Sequence, residues 1–222
     1  MFSKDGHSLY RVRSLEELGW LEHGFGTRNA TLWRGDPRIV SVHQIHSNRC
    51  MVAAERAGRI GDADALITNT PGLLVSVRTA DCVPILLADP RRRAVAAVHA
   101  GWRGTVQNVA ASAIGAMRNT FGSRPEDIIA AIGPCIGPCC FEVGPEVAVE
   151  FQGIFPERKD LEGRTHVDLP EANRRQLVAA GVPDASISVA HICTACTPEE
   201  FYCFRRERQR TGRMVSAVGI RV

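Results

Sequence analysis

Three features of this 222-residue chain predict a single α/β (α+β) domain spanning residues 1–222. Apolar runs of strand length, Leu73–Val77, Val83–Ala88 and Ala94–Val98, follow one another in its middle, broken by Asp89-Pro90 and closed by Gly101 and Gly104. Next, Val106, Val109, Ala110, Ala113, Ile114, Met117 and Phe121 recur at helical spacing up to Gly122. The composition, 45% hydrophobic and 23% charged, is that of an ordinary globular protein, and a chain of this length commonly folds as one unit.

In order along the chain, residues 9–20 predict a strand and a short helix, with Ser14 as N-cap and Gly19 as its stop. His23–Arg28 reads as a Gly-flanked loop, in which Arg28 is either an exposed charge or a ligand-facing guanidinium. Ile39 begins a strand that runs into a turn and carries His43 and His46. An odd spacing on a strand sends the two to opposite faces, so at most one joins a given site. Arg49–Ala54 reads as the returning strand. The acids of Asp62–Thr68 either cap a turn or approach a polar site.

Thr105 is the N-cap candidate of the central helix. Gly101-Trp-Arg-Gly104 therefore sits at a helix N-terminus, where free N–H groups favour an anion, unless its glycines only serve a tight strand-to-helix turn. Asp127–Ile132 is a further buried strand. Pro145–Gly153 and Pro170–Gly181 are helices with proline in the first turn. His166–Asp168, Ile187–His191 and Arg213–Val222 complete the strands.

The net charge of +3 is too mild to argue for nucleic acid. The cluster Arg205-Arg206-Glu-Arg208-Gln-Arg210 is interrupted by acid and amide, and reads as a solvated face or a contact for an anionic substrate. The polar N-terminus lacks a signal-peptide core, and no run approaches a membrane span of ~18 apolar residues. A cytoplasmic protein without a membrane partner is expected. Eight cysteines in this length do not make a disulfide scaffold. A zinc reading of Cys135, Cys139 and Cys140 lacks a C-x₂-C pair, and the nearest, Cys193-Thr-Ala-Cys196, would have to join them across the fold. Cys135, Cys139, Cys140, Cys193, Cys196 and Cys203 are therefore read as structural thiols.

Chemistry concentrates at the ends of the central strands. Cys82 opens the second run and His99 closes the third, so a hairpin around Asp89–Arg93 sets a thiol beside an imidazole. With a histidine from the 43–46 segment, these could form a three-ligand catalytic zinc site whose bound water has a pKa near ~7. Without a metal, Cys82 would be a nucleophile and His99 its base. Spacing leaves both open. Redox catalysis at a laccase-like copper centre is disfavoured, because a Cys–His pair with an axial Met and several His-x-His motifs are absent.

Gln44-Ile-His46, Thr79-Ala-Asp-Cys82, Val98-His99-Ala-Gly-Trp-Arg-Gly104, Gly133-Pro-Cys-Ile-Gly and Cys193-Thr…Phe204-Arg-Arg…Gly212-Arg213 together resemble the YfiH-type family, over roughly residues 20 to 220. That family is described historically as polyphenol oxidase or laccase-domain proteins and is associated with purine nucleoside phosphorolysis and adenosine deamination. The resemblance implies layered mixed β-sheets flanked by helices, similar to the CNF1/YfiH-like cysteine hydrolase fold. It implies His46, Cys82 and His99 as ligands of zinc, or of copper in the same site. Purine nucleoside and phosphate are the implied partners, with phosphorylase activity extending to methylthioadenosine. Arg28 matches the family's early Arg, although Asn29-Ala30 replaces the Gly-Gly that often follows it. Arg28, Arg103, Gly101 and Gly104 are the candidates to hold phosphate, and Asp81 is a proton shuttle or a structural acceptor. The alternatives are a cysteine amidase that edits peptidoglycan precursors and a copper polyphenol oxidase.

Overall fold

The computed structural model describes residues 1–33, 35–55 and 58–222. Its strands are β1 (Phe2–Lys4), β2 (Leu9–Val12), β3 (Leu21–Gly26), β4 (Ile39–His43), β5 (Cys50–Val52), β6 (Gly58–Asp62), β7 (Ala65–Thr68) and β8 (Leu74–Thr79). They continue with β9 (Val83–Asp89), β10 (Ala94–Ala100), β11 (Ile129–Ile132), β12 (Glu142–Val143), β13 (Thr165–His166), β14 (Ile187–Val189) and β15 (Met214–Ile220). The helices are α1 (Arg13–Glu16), α2 (Trp102–Val106), α3 (Val109–Phe121), α4 (Pro145–Ala148), α5 (Leu169–Ala179) and α6 (Phe204–Glu207).

One mixed sheet has the order β1-β2-β3-β15-β8-β4-β6, the other β14-β11-β9-β10-β7-β5, and β12 pairs with β13. This is the layered α/β arrangement of mixed sheets that the sequence and its resemblance led us to expect. The β9–β10 hairpin lies at its centre, antiparallel with Ala94 opposite Asp89 and His99 opposite Pro84. Both strands are buried on both faces, which is why they read as unbroken apolar runs. Leu86, Ala88, Val95 and Ala97 pack between the two sheets with Val75, Val77 and Val218. Ile85, Leu87, Ala96 and Val98 point the other way, onto Ala110, Ala113, Ile114 and Met117 of α3 and Ala172 and Leu177 of α5.

Four local expectations change. His23–Gly26 belongs to β3, which pairs with β2 and β15, so central pairing overrides the punctuation that its glycines suggest. Ser14 is not a cap; α1 follows β2 directly from Val12, without a side-chain cap. The segment Arg49–Ala54 does not return along β4: its strand β5 joins the other sheet, parallel to β7. Finally, the helix expected from Thr105 begins earlier and breaks once. Thr105 lies inside α2, where its carbonyl accepts Gln176 Nε2 at 2.7 Å and its hydroxyl accepts Asn173 Nδ2 at 3.0 Å. With that carbonyl engaged by α5, the chain turns through Asn108, at φ 60°, before α3 starts.

His23 gives the fold a pH dependence. Its ring is 2% exposed, Nε2 accepts the Val12 N–H at 3.0 Å, and burial together with the nearby Arg11 and Arg221 lowers its pKa from 6.5 to about 3. The folded chain thus refuses a proton that the unfolded chain takes up below 6.5. Stability is complete above that pH and falls by roughly 3 kcal/mol on going down to about pH 4.5. His23→Gln keeps an acceptor for Val12 but cannot titrate, so its stability, measured by urea unfolding, should change less over this interval. Parallel pH profiles for the two proteins would refute the assignment.

Candidate active site

Cys82 lies immediately before β9 and His99 one residue before the end of β10, so the hairpin register sets them side by side. His46 comes from the turn after β4. It is not on the strand, as expected from sequence, but beyond it, in a left-handed conformation at φ 58°. That backbone turns its ring toward His99, with centroids 5.0 Å apart and planes at 79°. One nitrogen from each histidine and the Cys82 sulfur all lie within 4.8 Å of one another. His43, the other candidate, is not in this donor group; its Nδ1 lies 3.2 Å from Asp62 Oδ1.

Asp64, fully buried just before β7, ties these parts together. Its carboxylate accepts the N–H groups of Ile45, His46 and Ser47 and the Ser47 hydroxyl, which fixes the turn that carries His46. Its Oδ1 also lies 2.8 Å from His99 Nδ1. A carboxylate can only accept here, so Nδ1 carries the proton and Nε2 is left facing Cys82. Burial pushes the Asp64 carboxyl up, yet the hydrogen bonds from His99 and Ser47 outweigh it and bring the pKa to about 2. Burial likewise opposes charge on Cys82 and His99, but each stabilises the other: the thiol is held below its ordinary value and the imidazole above. Two nitrogens and a thiolate, with one ring oriented by a buried carboxylate, suit a metal with a free coordination position.

Gly101 and Gly104 earn their places by close approach. A Cβ on Gly101 would stand 3.0 Å from Cys82 Sγ and 3.2 Å from His46 Cδ2, and one on Gly104 would stand 3.2 Å from the Ser47 carbonyl. Gly101→Ala should therefore move two donors by a few tenths of an ångström and lower turnover about tenfold, with little loss of stability. Comparing kcat with the melting temperature checks this; full activity would mean that the donors have slack.

All three residues open on a cavity of ≈ 980 Å³ that is also lined by Trp102 and Phe141 and by Arg59, Arg78, Arg103, Arg205, Arg208 and Arg213. The basic cluster near 205–210 thus contributes to a site instead of forming only a solvated face. Arg103 stacks over Trp102 at 4.3 Å. Arg28 is not among the lining residues: Nη1 donates to the Pro198 carbonyl at 2.7 Å, and the guanidinium lies over the Tyr202 ring at 4.7 Å. Asp81 lines the cavity, at φ 86°, but both its carboxylate oxygens are engaged, Oδ1 by Thr194 Oγ1 at 2.8 Å and Oδ2 by the Arg205 N–H at 2.7 Å.

Fold and site together define a layered α/β protein with a two-histidine, one-cysteine donor set on an arginine-lined cavity. The chain belongs to the family described as multi-copper polyphenol oxidoreductase laccase, whose model matches residues 27–221. It is 43% identical over 172 residues to "Purine nucleoside phosphorylase" of Bacteroides thetaiotaomicron, a match covering 75% of this chain and 64% of that protein, less than two thirds of its length. To "Adenosine deaminase RL5" of an unknown prokaryotic organism it is 38% identical over 195 residues, 81% of this chain and 74% of the relative. Among solved structures, the YfiH protein of Bacillus licheniformis superposes with a TM-score of 0.89 at 31% identity, covering 99% of both chains. The resemblance to the YfiH-type family is borne out.

Proposed function

We propose that this chain is a purine nucleoside phosphorylase that also deaminates adenosine and cleaves methylthioadenosine, with His46, Cys82 and His99 holding one zinc ion. The observation that carries the reading is the His99–Asp64 bond, which commits Nδ1 and leaves three converging donors on an arginine-lined cavity. The names of the relatives from Bacteroides thetaiotaomicron and the unknown prokaryote support both reactions. When bound, zinc supplies a Lewis acid that polarises water or a substrate oxygen. Copper fits the same donors and binds nitrogen and sulfur sites more tightly than zinc, so oxidase activity after copper loading would not identify the natural reaction.

The chain's own residues account for binding and orientation. Arg103, with the backbone N–H groups of the first turn after Gly101, holds phosphate beside the sugar, and the arginines at 78, 205, 208 and 213 draw the anion into the cavity. In phosphorolysis a phosphate oxygen bonds to C1′, the bond from C1′ to the purine nitrogen breaks, and the base leaves with a proton. In deamination water adds at C6 and ammonia departs. Asp81 serves as the acceptor that fixes the turn before Cys82, because both its oxygens are already engaged. Arg28 braces the 198–202 segment behind the cavity. The eight cysteines form no disulfide among the described residues, in keeping with a reducing, cytoplasmic setting.

A second reading has its own observation: Cys82, His99 and Asp64 stand in the order nucleophile, base and orienting acid, as in a cysteine amidase. Incubating adenosine with and without phosphate separates the two. Adenine and ribose-1-phosphate only with phosphate, and inosine in either case, is the expected result. No turnover of any nucleoside, with cleavage of an amide such as a peptidoglycan precursor that thiol alkylation blocks, would replace it with the amidase.

A further inference from the structure

Away from the cavity, the fold gathers four cysteines that the sequence read as separate structural thiols. Cys139 and Cys140 lie in the loop after β11, Cys193 and Cys196 in the loop after β14, and their four sulfurs all come within 4.8 Å of one another. None of the four lines the cavity, and Cys139 and Cys196 are exposed, which does not suit thiols kept only for packing. Cys196 Sγ stands 3.7 Å from Cys139 Sγ and 3.4 Å from Cys140 Sγ. Four sulfurs placed tetrahedrally around zinc at ~2.3 Å would be about 3.8 Å apart. The C-x₂-C pair thus finds its partners across the fold, as a zinc site would have required.

We propose that Cys139, Cys140, Cys193 and Cys196 hold a structural zinc ion as a tetrathiolate, separate from the histidine–cysteine trio. The backbone is arranged for it. Gly137 N–H donates to Cys193 Sγ at 3.2 Å. Such a donor stabilises and orients a metal-bound thiolate. Zinc with four thiolates carries net negative charge after the thiols release their protons. Arg206, paired with Glu207 at 2.7 Å, braces the C-x₂-C turn, its Nη1 donating to the Thr194 and Ala195 carbonyls at 3.3 and 3.0 Å.

The clip would fasten two segments that the cavity depends on. The first loop continues into Phe141, Glu142 and Val143 of the cavity wall, and Thr194, between the second pair of ligands, holds Asp81 next to Cys82. Backbone bonds already align the two loops, Cys135 N–H to the Ile192 carbonyl at 3.2 Å and Thr194 N–H to the Cys135 carbonyl at 2.9 Å. Zinc would close that alignment.

Elemental analysis and zinc-edge X-ray absorption of protein purified anaerobically without added metal test the proposal. Cys82→Ala, which removes the trio, should retain one equivalent of zinc with four sulfur neighbours, and Cys82→Ala/Cys193→Ser should lose it. Should the double variant fail to fold, metal-stripped Cys82→Ala is titrated with cobalt(II), and a thiolate-to-metal charge-transfer band that saturates at one equivalent is expected. Zinc-free Cys82→Ala with no such band, whether its four thiols alkylate freely or pair as disulfides by intact mass, would overturn the site. Failure of the trio reads differently: wild type then holds only the all-sulfur zinc also found in Cys82→Ala.

Discussion

Cys82→Ala should lower kcat/KM for adenosine phosphorolysis by about three orders of magnitude, in a chain that still folds. The sulfur is the one soft donor of the trio and the one group that could be a nucleophile, so its removal empties the centre under either reading of the chemistry. Loss of several kcal/mol of transition-state stabilisation corresponds to a factor of roughly 10³. Cys82 is only half-buried and stands outside the hydrophobic clusters, so circular dichroism should keep the native spectrum. Steady-state kinetics under saturating phosphate decide it. Retention of more than about a tenth of wild-type activity would place the reaction elsewhere.

Asp64→Asn should damage stability and site together. An amide of the same size turns an N–H₂ group toward positions where the carboxylate accepts three backbone N–H groups, a hydroxyl and the His99 ring. At least one buried donor then lacks an acceptor, which costs about 3 kcal/mol and, for a domain of this size, roughly 10 °C in melting temperature. His99 also loses the partner that selects its tautomer, so metal affinity and kcat should drop about 10- to 100-fold. Calorimetry and metal content of the same preparation report both effects. A variant as stable as wild type but with lost metal would show that Asp64 serves the site alone, and the opposite pattern that it serves the turn alone.

Much of this was legible in the sequence where local pattern and tertiary environment agree. The β9–β10 hairpin was readable because strands buried on both faces need unbroken apolar runs, and the turn at Asp89–Arg93 falls between them. Cys82 and His99 followed from it. His46 was picked out by the resemblance, whereas the strand-face argument failed because His46 stands past the end of β4. Asp64 was half seen: small residues around it suggested a turn cap, which it is, but its bond to His99 spans 35 positions and leaves no trace in local spacing. The same limit hid the Cys139–Cys196 cluster, whose two halves meet through the parallel pairing of β11 and β14 and the loop bonds beyond it. Arg28 shows the converse, since a charge in a loop gives no clue whether it faces a cavity or, as here, the carbonyl of Pro198.

The burial of β9 and β10 on both faces also sets a clock. Their amides can exchange with deuterium only when both neighbouring layers part, which is global unfolding. Cys82 and His99 therefore stand at the ends of strands that open only with the whole fold, while His46 rides on a turn held by side-chain bonds from Asp64, Gln44 and Asn48. Two donors are tied to those strands, and the third to side-chain bonds that can break without them. Exchange of an ion at this centre would then be paced by the turn at His46 instead of by unfolding.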